Sequence, residues 1–151
     1  MTLIETMENI AAFLQSQLLE YDCKLADGNI VPVAVYPGFA PIRNSNEPIQ
    51  AFVYVLATDS SDSEPQSQAK VEIGISVEDT DRTDGWRSMY NLAEHIRISL
   101  LKHRLIAHKH RLILPLKFFL GEERLYPQWT AGLTAEYTIG QPVEEELDYG
   151  D

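Results

Sequence analysis

Three aspartates stand ahead of a glycine in Glu78-Asp79-Thr80-Asp81-Arg82-Thr83-Asp84-Gly85, the stretch of this chain whose residue types are best suited to chemistry. Spaced carboxylates on a tight turn are what a hard cation such as calcium requires, because it binds through several oxygen ligands at once. The spacing departs from that of an EF-hand, in which the glycine is sixth and a bidentate glutamate twelfth. Counted from Asp79 the glycine is seventh and the twelfth residue is Tyr90, and counting from Asp81 fits no better. The acids suit a helix start instead. Asp84 or Thr83 is expected to cap a helix beginning near Gly85 and Trp86, with the other carboxylates favoured beside its positive end.

The remaining candidates are weaker. His95 and His103 are eight residues apart, two turns along a helix and too far for direct chelation, and no HExxH is present. His108 and His110 are expected to share one face of an extended, solvated segment. Cys23 is the only cysteine, so neither an intramolecular disulfide nor a multi-cysteine zinc site is available. Nothing resembles GxSxG, and the eight glycines are too dispersed to form a phosphate-cradling loop. Glu122 and Glu123 fall in an expected hairpin turn, where solvation is the default. No catalytic residue, metal ligand or cofactor is assigned, and the chain reads as a non-enzyme.

The elements that position these residues follow from periodicity. Val71, Ile73, Ile75 and Val77 alternate with Glu72, Gly74 and Ser76, the pattern of a strand with one buried face. Beyond the acidic turn, Trp86, Met89, Tyr90, Ala93, Ile96, Leu100 and Leu101 form one apolar stripe at helical spacing. Ile4, Met7, Ala11, Leu14 and Leu18 predict a first helix of about four turns, with Thr2 or Glu5 serving its amino end and Asp27-Gly28 a turn beyond it. Segment 29–36 is β-rich but holds Pro32, which predicts an edge strand or a strand start. Segment 39–48 reads as an irregular connection and 49–57 as a strand buried on both faces. Segment 58–68, TDSSDSEPQSQ, has no apolar residue and reads as a flexible polar loop. Segment 111–120 is apolar but interrupted by Pro115, which argues for an edge, a bulge or a bend. The chain is expected to be irregular around Trp129, with a last strand over 132–139. The order is α-β-β-β-α-β-β, which predicts an α+β fold with a mostly antiparallel or mixed sheet, as a single domain over 1–142 with an acidic tail over 143–151.

At 151 residues the length suits one domain, and the 44% apolar and 23% charged composition is that of a soluble globular protein. No apolar run approaches the roughly 18 residues of a membrane span, so no membrane partner is expected. The start, MTLIETMENIAAFLQ, lacks the basic region of a secretory signal, and a reducing cytoplasm is the expected site of folding. The net charge of −11 argues against general nucleic-acid binding. The charge is unevenly spread. Seven of the twelve Lys and Arg residues and three of the four His lie in 97–124, where the only acids are Glu122 and Glu123. The chain closes on Glu144, Glu145, Glu146, Asp148 and Asp151. Such polarity suits contact between copies or docking on a charged partner.

The succession VEIGISVEDTDRTDGWRSMYNLAEHIRISLLK, LPLKFF and YPQWTAGLTAEYTI resembles the tail terminator, or tail completion, proteins of long-tailed bacteriophages and prophages. The resemblance covers roughly 52–142 and is a pattern of several pieces in order rather than one diagnostic motif. It implies a non-enzymatic virion subunit, assembled in the bacterial cytoplasm, that forms a hexameric ring at the head-proximal end of the tail. The implied partners are further copies of itself, the tail tube protein and the head-completion proteins, with DNA only passing through the lumen. Its sites would then be interfaces, for which Trp129, Tyr126, Lys102, Arg104, Lys109, Arg111, Glu144, Glu145 and Glu146 are the candidates. A different class, an adaptor that binds an acidic partner through the basic 97–124 region, fits the charge distribution as well.

Overall fold

The computed structural model describes residues 2–40, 50–122 and 125–146. The expected connection over 39–48 and the turn residues Glu123 and Arg124 therefore lie wholly or partly outside the described residues, as do Asp148 and Asp151.

The chain folds as α+β with the elements in the expected order. Helix α1 (Leu3–Leu18) is capped by Thr2, whose Oγ1 accepts the Glu5 amide at 3.0 Å. Two short strands, β1 (Cys23–Lys24) and β2 (Ile30–Val31), form a hairpin around a turn at Gly28, where φ is +91°. Five longer strands follow: β3 (Val33–Pro37), β4 (Ala51–Asp62), β5 (Ser67–Glu78), β7 (His110–Leu120) and β8 (Gln128–Ile139). Helix α2 (Trp86–Lys102) and the two-residue strand β6 (Leu105–Ile106) separate β5 from β7. The main sheet runs β3-β4-β5-β8-β7-β6, antiparallel except for the parallel β3–β4 pair.

Alternation decides which face meets the helices. Ala51, Val53 and Val55 of β4, Val71, Ile73, Ile75 and Val77 of β5, and Leu133, Ala135 and Tyr137 of β8 point to one side. There they meet Ile10, Ala11, Leu14 and Leu18 of α1 and Met89, Leu92, Ala93, Ile96 and Leu100 of α2 in one core. Among the described residues the opposite face carries no helix. Phe52, Tyr54 and Leu56 are half-buried on it, so the expectation that β4 is buried on both faces holds for one face only. Two glycines are roofed by aromatic rings on that open face. Tyr54 lies over Gly74 and Phe119 over Gly132, each filling the place of the missing Cβ.

Two further expectations change. The polar segment 58–68 is not a loop: β4 runs to Asp62, β5 starts at Ser67, and only 63–66 turns. Its side chains carry little strand preference, but β5 is paired on both sides here, Gln68 to Ser61 and to Thr138, and this ladder overrides composition. The chain around Trp129 is likewise regular, since β8 starts at Gln128 and Trp129 pairs with Val77. Pro127 and Gly132, which look like breakers, mark a strand start and a ring-covered position. Pro115 lies within the register shift between Ile113 and Lys117, the bulge its ring predicts.

Candidate functional site

Where β5 ends, the inward-facing parity of Val77 continues to Asp79, whose side chain is buried. One oxygen, Oδ2, accepts the Ala26 amide at 2.9 Å and lies 3.3 Å from the Ser88 hydroxyl, which donates to Lys24 O at 3.0 Å, while Oδ1 accepts the Asp81 amide at 3.0 Å. The Asp79 backbone joins in, its amide donating to Pro127 O at 2.9 Å and its carbonyl accepting Trp129 Nε1 at 3.0 Å. One aspartate thus ties the β1–β2 loop, α2, the acidic turn and the start of β8 together. Asp81 holds the turn by accepting the Thr83 and Asp84 amides at 2.9 and 2.8 Å, which keeps its carboxyl below the usual carboxylate range. Asp84 instead pairs with Arg87 at 3.1 Å. The helix cap is Gly85, with no side-chain bond, and neither Asp84 nor Thr83 fills that place. A Cβ at this cap would lie 2.5 Å from Asp81 O and 2.7 Å from the Trp129 indole nitrogen, which leaves room for glycine alone.

These contacts frame a cleft of about 470 Å³ between the start of α2 and the β7–β8 end of the sheet. Trp86, Met89, Tyr90, Leu120, Tyr126 and Trp129 supply its apolar walls. Trp86 meets Tyr90 edge to face at 5.7 Å, and Tyr126 meets Trp129 in the same way at 6.3 Å. Tyr126 donates its hydroxyl to Thr80 O, and Trp86 Nε1 donates to Thr83 O at 2.9 Å. Arg82 lies over the Tyr126 ring with Cζ 4.4 Å from the centroid. Among the described residues its lining is mostly apolar and aromatic, which suits an apolar or aromatic side chain. Trp129 is half-buried and packs on the core, whereas Trp86 is 38% exposed.

A second constellation lies at the other end of β8, about 36 Å away along its 12 residues. Lys102 ends α2, Arg104 precedes β6, and Lys109 and Arg111 flank the start of β7, so the four basic candidates form one corner. The Leu112 amide donates to Arg104 O at 2.7 Å and Leu105 pairs with Arg111, which fixes that corner. Lys109 pairs with Glu5 of α1 at 2.8 Å. Beneath it, His110 is fully buried, in contact with Asn9 Nδ2 at 3.1 Å and Thr138 O at 3.3 Å. Burial holds its pKa below the ordinary value. Ala107 and His108 both have φ of 55°, so His108 sits in a turn and does not share an extended face with His110. Glu144, Glu145 and Glu146 are exposed beyond β8, past Gln141, which donates to Ser63 O at 2.8 Å and Ser67 Oγ at 3.0 Å.

The candidates thus divide between two ends of the sheet. Trp86 and Arg82 join Tyr126 and Trp129 in lining the cleft, Asp79 holds the turn beside it through Trp129 and Pro127, and none of these three additions is among the interface candidates drawn from the sequence. The signal for Asp79 was available, since alternation through Val77 puts residue 79 on the inner face. Cys23 is fully buried, and burial together with the Asp79 carboxylate pushes its thiol up to about 11, which leaves it protonated near neutrality.

No protein-family model matches the chain, and no curated protein matches it. Among solved structures, one of similar fold and without a descriptive name shares 15% identity with a TM-score of 0.51, over 95% of this chain and 100% of that one. A chain of the virion of a native gene transfer agent particle aligns at 18% identity with a TM-score of 0.49, over 92% and 98% respectively. The sheath/tube terminator of an extracellular contractile injection system, PVC, in its extended state, aligns at 10% identity with a TM-score of 0.41. That alignment spans 100% of this chain and 64% of the other. Likeness to the first of these, at 15% identity, bears on the fold alone.

Proposed function

We propose that this chain is a tail terminator of a long-tailed phage or prophage: a non-enzymatic subunit whose ring, of six copies, caps the tail tube, stops its growth and joins it to the head. One observation supports this above the others. The separated pieces of sequence that resemble that family come together as a single structural unit. β5, the acidic turn, α2, β7 and β8 adjoin one another, and Asp79, Trp129 and Tyr126 lock the acidic turn to the YPQW segment. Two interaction surfaces at opposite ends of the sheet suit a subunit that meets different neighbours on different sides. In this setting the partners are further copies, the tail tube protein and the head-completion proteins, and the location is the head-proximal end of the tail. The test is to image particles produced without this protein. Tails of irregular length that fail to join heads are expected; tails of normal length joined to heads would remove the proposal.

A second reading, an adaptor for an acidic partner, is favoured by the clustering of Lys102, Arg104 and Arg111 in one corner. It predicts that reversing those charges abolishes capture of such a partner in a salt-sensitive way, while tail assembly is unaffected.

A further inference from the structure

Among the described residues, Lys102, Arg104 and Arg111 make no ion pair, in contrast to Arg87, Arg97 and Lys109, which pair with Asp84, Glu94 and Glu5. Glu144, Glu145 and Glu146 make none either, and they follow by a few residues Gln141, which is held at the same end of the sheet. The two groups are opposite in charge and both exposed. We propose that they meet in trans, the acidic tail of one copy seating on the basic corner of the next copy. The inference rests on the ring proposed above and names one of its contacts.

The path of the chain favours contact between copies. After Ile139 the chain turns toward the β4–β5 tip, where Gln141 is held by Ser63 O and Ser67 Oγ. The corner lies across β8 on the opposite side, since Arg111 N donates to Thr138 Oγ1 and the corner continues outward through β7 and β6. From β5 to β7 is two strand spacings, about 10 Å. Tail and corner therefore flank the same end of the sheet, one on each side. A neighbour placed alongside brings its tail to this chain's corner at the same height, and the same relation repeats to the next copy. That is the requirement for a head-to-tail interface that closes. Exposed ion pairs are individually weak and screened by salt, so the contact sets register and salt dependence more than strength.

The experiment uses the full chain in three forms: wild type, a corner variant (Lys102→Glu, Arg104→Glu, Arg111→Glu) and a tail variant (Glu144→Lys, Glu145→Lys, Glu146→Lys). Native mass spectrometry and sedimentation report the oligomer. Wild type is expected to associate, more weakly by about tenfold when salt rises from about 0.05 to about 0.5 M. Each variant alone is expected to lose association by at least that factor. An equimolar mixture of the two is expected to regain it in oligomers in which the variants alternate, a result that pairing within one chain cannot produce. All six positions are exposed, and circular dichroism checks that each variant is folded. A wild-type oligomer indifferent to both variants overturns this contact and leaves the ring standing. Loss with the corner variant alone also overturns it, and points to another acidic surface or to an acidic partner of another kind. A wild-type chain that stays monomeric at every concentration and salt removes the ring and the contact together.

Discussion

At the scale of residues, the acidic turn is organised by one carboxylate rather than three. Asp79 satisfies two backbone amides from inside the fold, whereas Asp81 and Asp84 act at the surface. Asp79→Ala strands the Ala26 and Asp81 amides without an acceptor, and a loss of about 3 kcal/mol is expected in urea denaturation. Asp81→Ala is expected to change much less. Tyr137 presents the opposite case, a buried hydroxyl without a partner among the described residues, with burial raising its pKa. Tyr137→Phe removes a desolvated polar group at constant packing, so the melting temperature is expected to hold or rise. His110 makes stability pH-dependent. Its pKa is lowered in the folded state by burial, against the opposing pull of the Thr138 carbonyl, so the unfolded chain binds the extra proton more readily. Stability is therefore full above the unfolded value of about 6.5 and falls as the pH drops through the window below it. His110→Gln is expected to flatten that dependence between about pH 7.5 and about pH 5.5, measured by denaturant midpoints. The depressed carboxyls of Glu5 and Asp81 act in a separate, more acidic window, their contribution present above their unfolded values and lost below.

At the scale of elements, the strands and helices with an apolar period were legible and those without one were not. Val71 to Val77 and the α2 stripe announce themselves because burial of one face imposes the period. The hairpin arm of Asp59, Ser60, Ser61 and Asp62 did not, because its strand state comes from backbone pairing that side-chain type does not reveal. The start of β8 was hidden by Pro127 and Gly132, residues that usually punctuate structure. Gly132 in fact sits under the Phe119 ring, and a methyl group there collides with it. Gly132→Ala is expected to cost about 1–3 kcal/mol, while the double variant Gly132→Ala with Phe119→Ala recovers part of that loss in a double-mutant cycle.

For the whole molecule, the α+β class and the element order were legible because they are sums of local periods, but the separation of the candidate site into two ends was not. Tyr126, Trp129, Lys102 and Arg111 are close in sequence, and only the antiparallel run of α2, β7 and β8 sends the aromatic pair to one end and the basic residues to the other. Asp79 and Trp129 are 50 residues apart and meet through the β5–β8 pairing, a long-range contact that no local pattern encodes.

That division has an optical consequence. Trp86 and Trp129 are the only tryptophans of the chain, and both line the cleft. The first turn of α1 and the exit of β8 lie at the opposite end, joined to the basic corner through Glu5 and His110. Tryptophan emission therefore belongs to one end of the molecule, and a dye on a cysteine introduced at the exposed His108 reports the other. A ligand or neighbour covering the cleft shifts the indole spectrum without disturbing the dye, and a neighbour on the corner does the reverse, so the order in which the two ends engage during assembly can be timed in one cuvette.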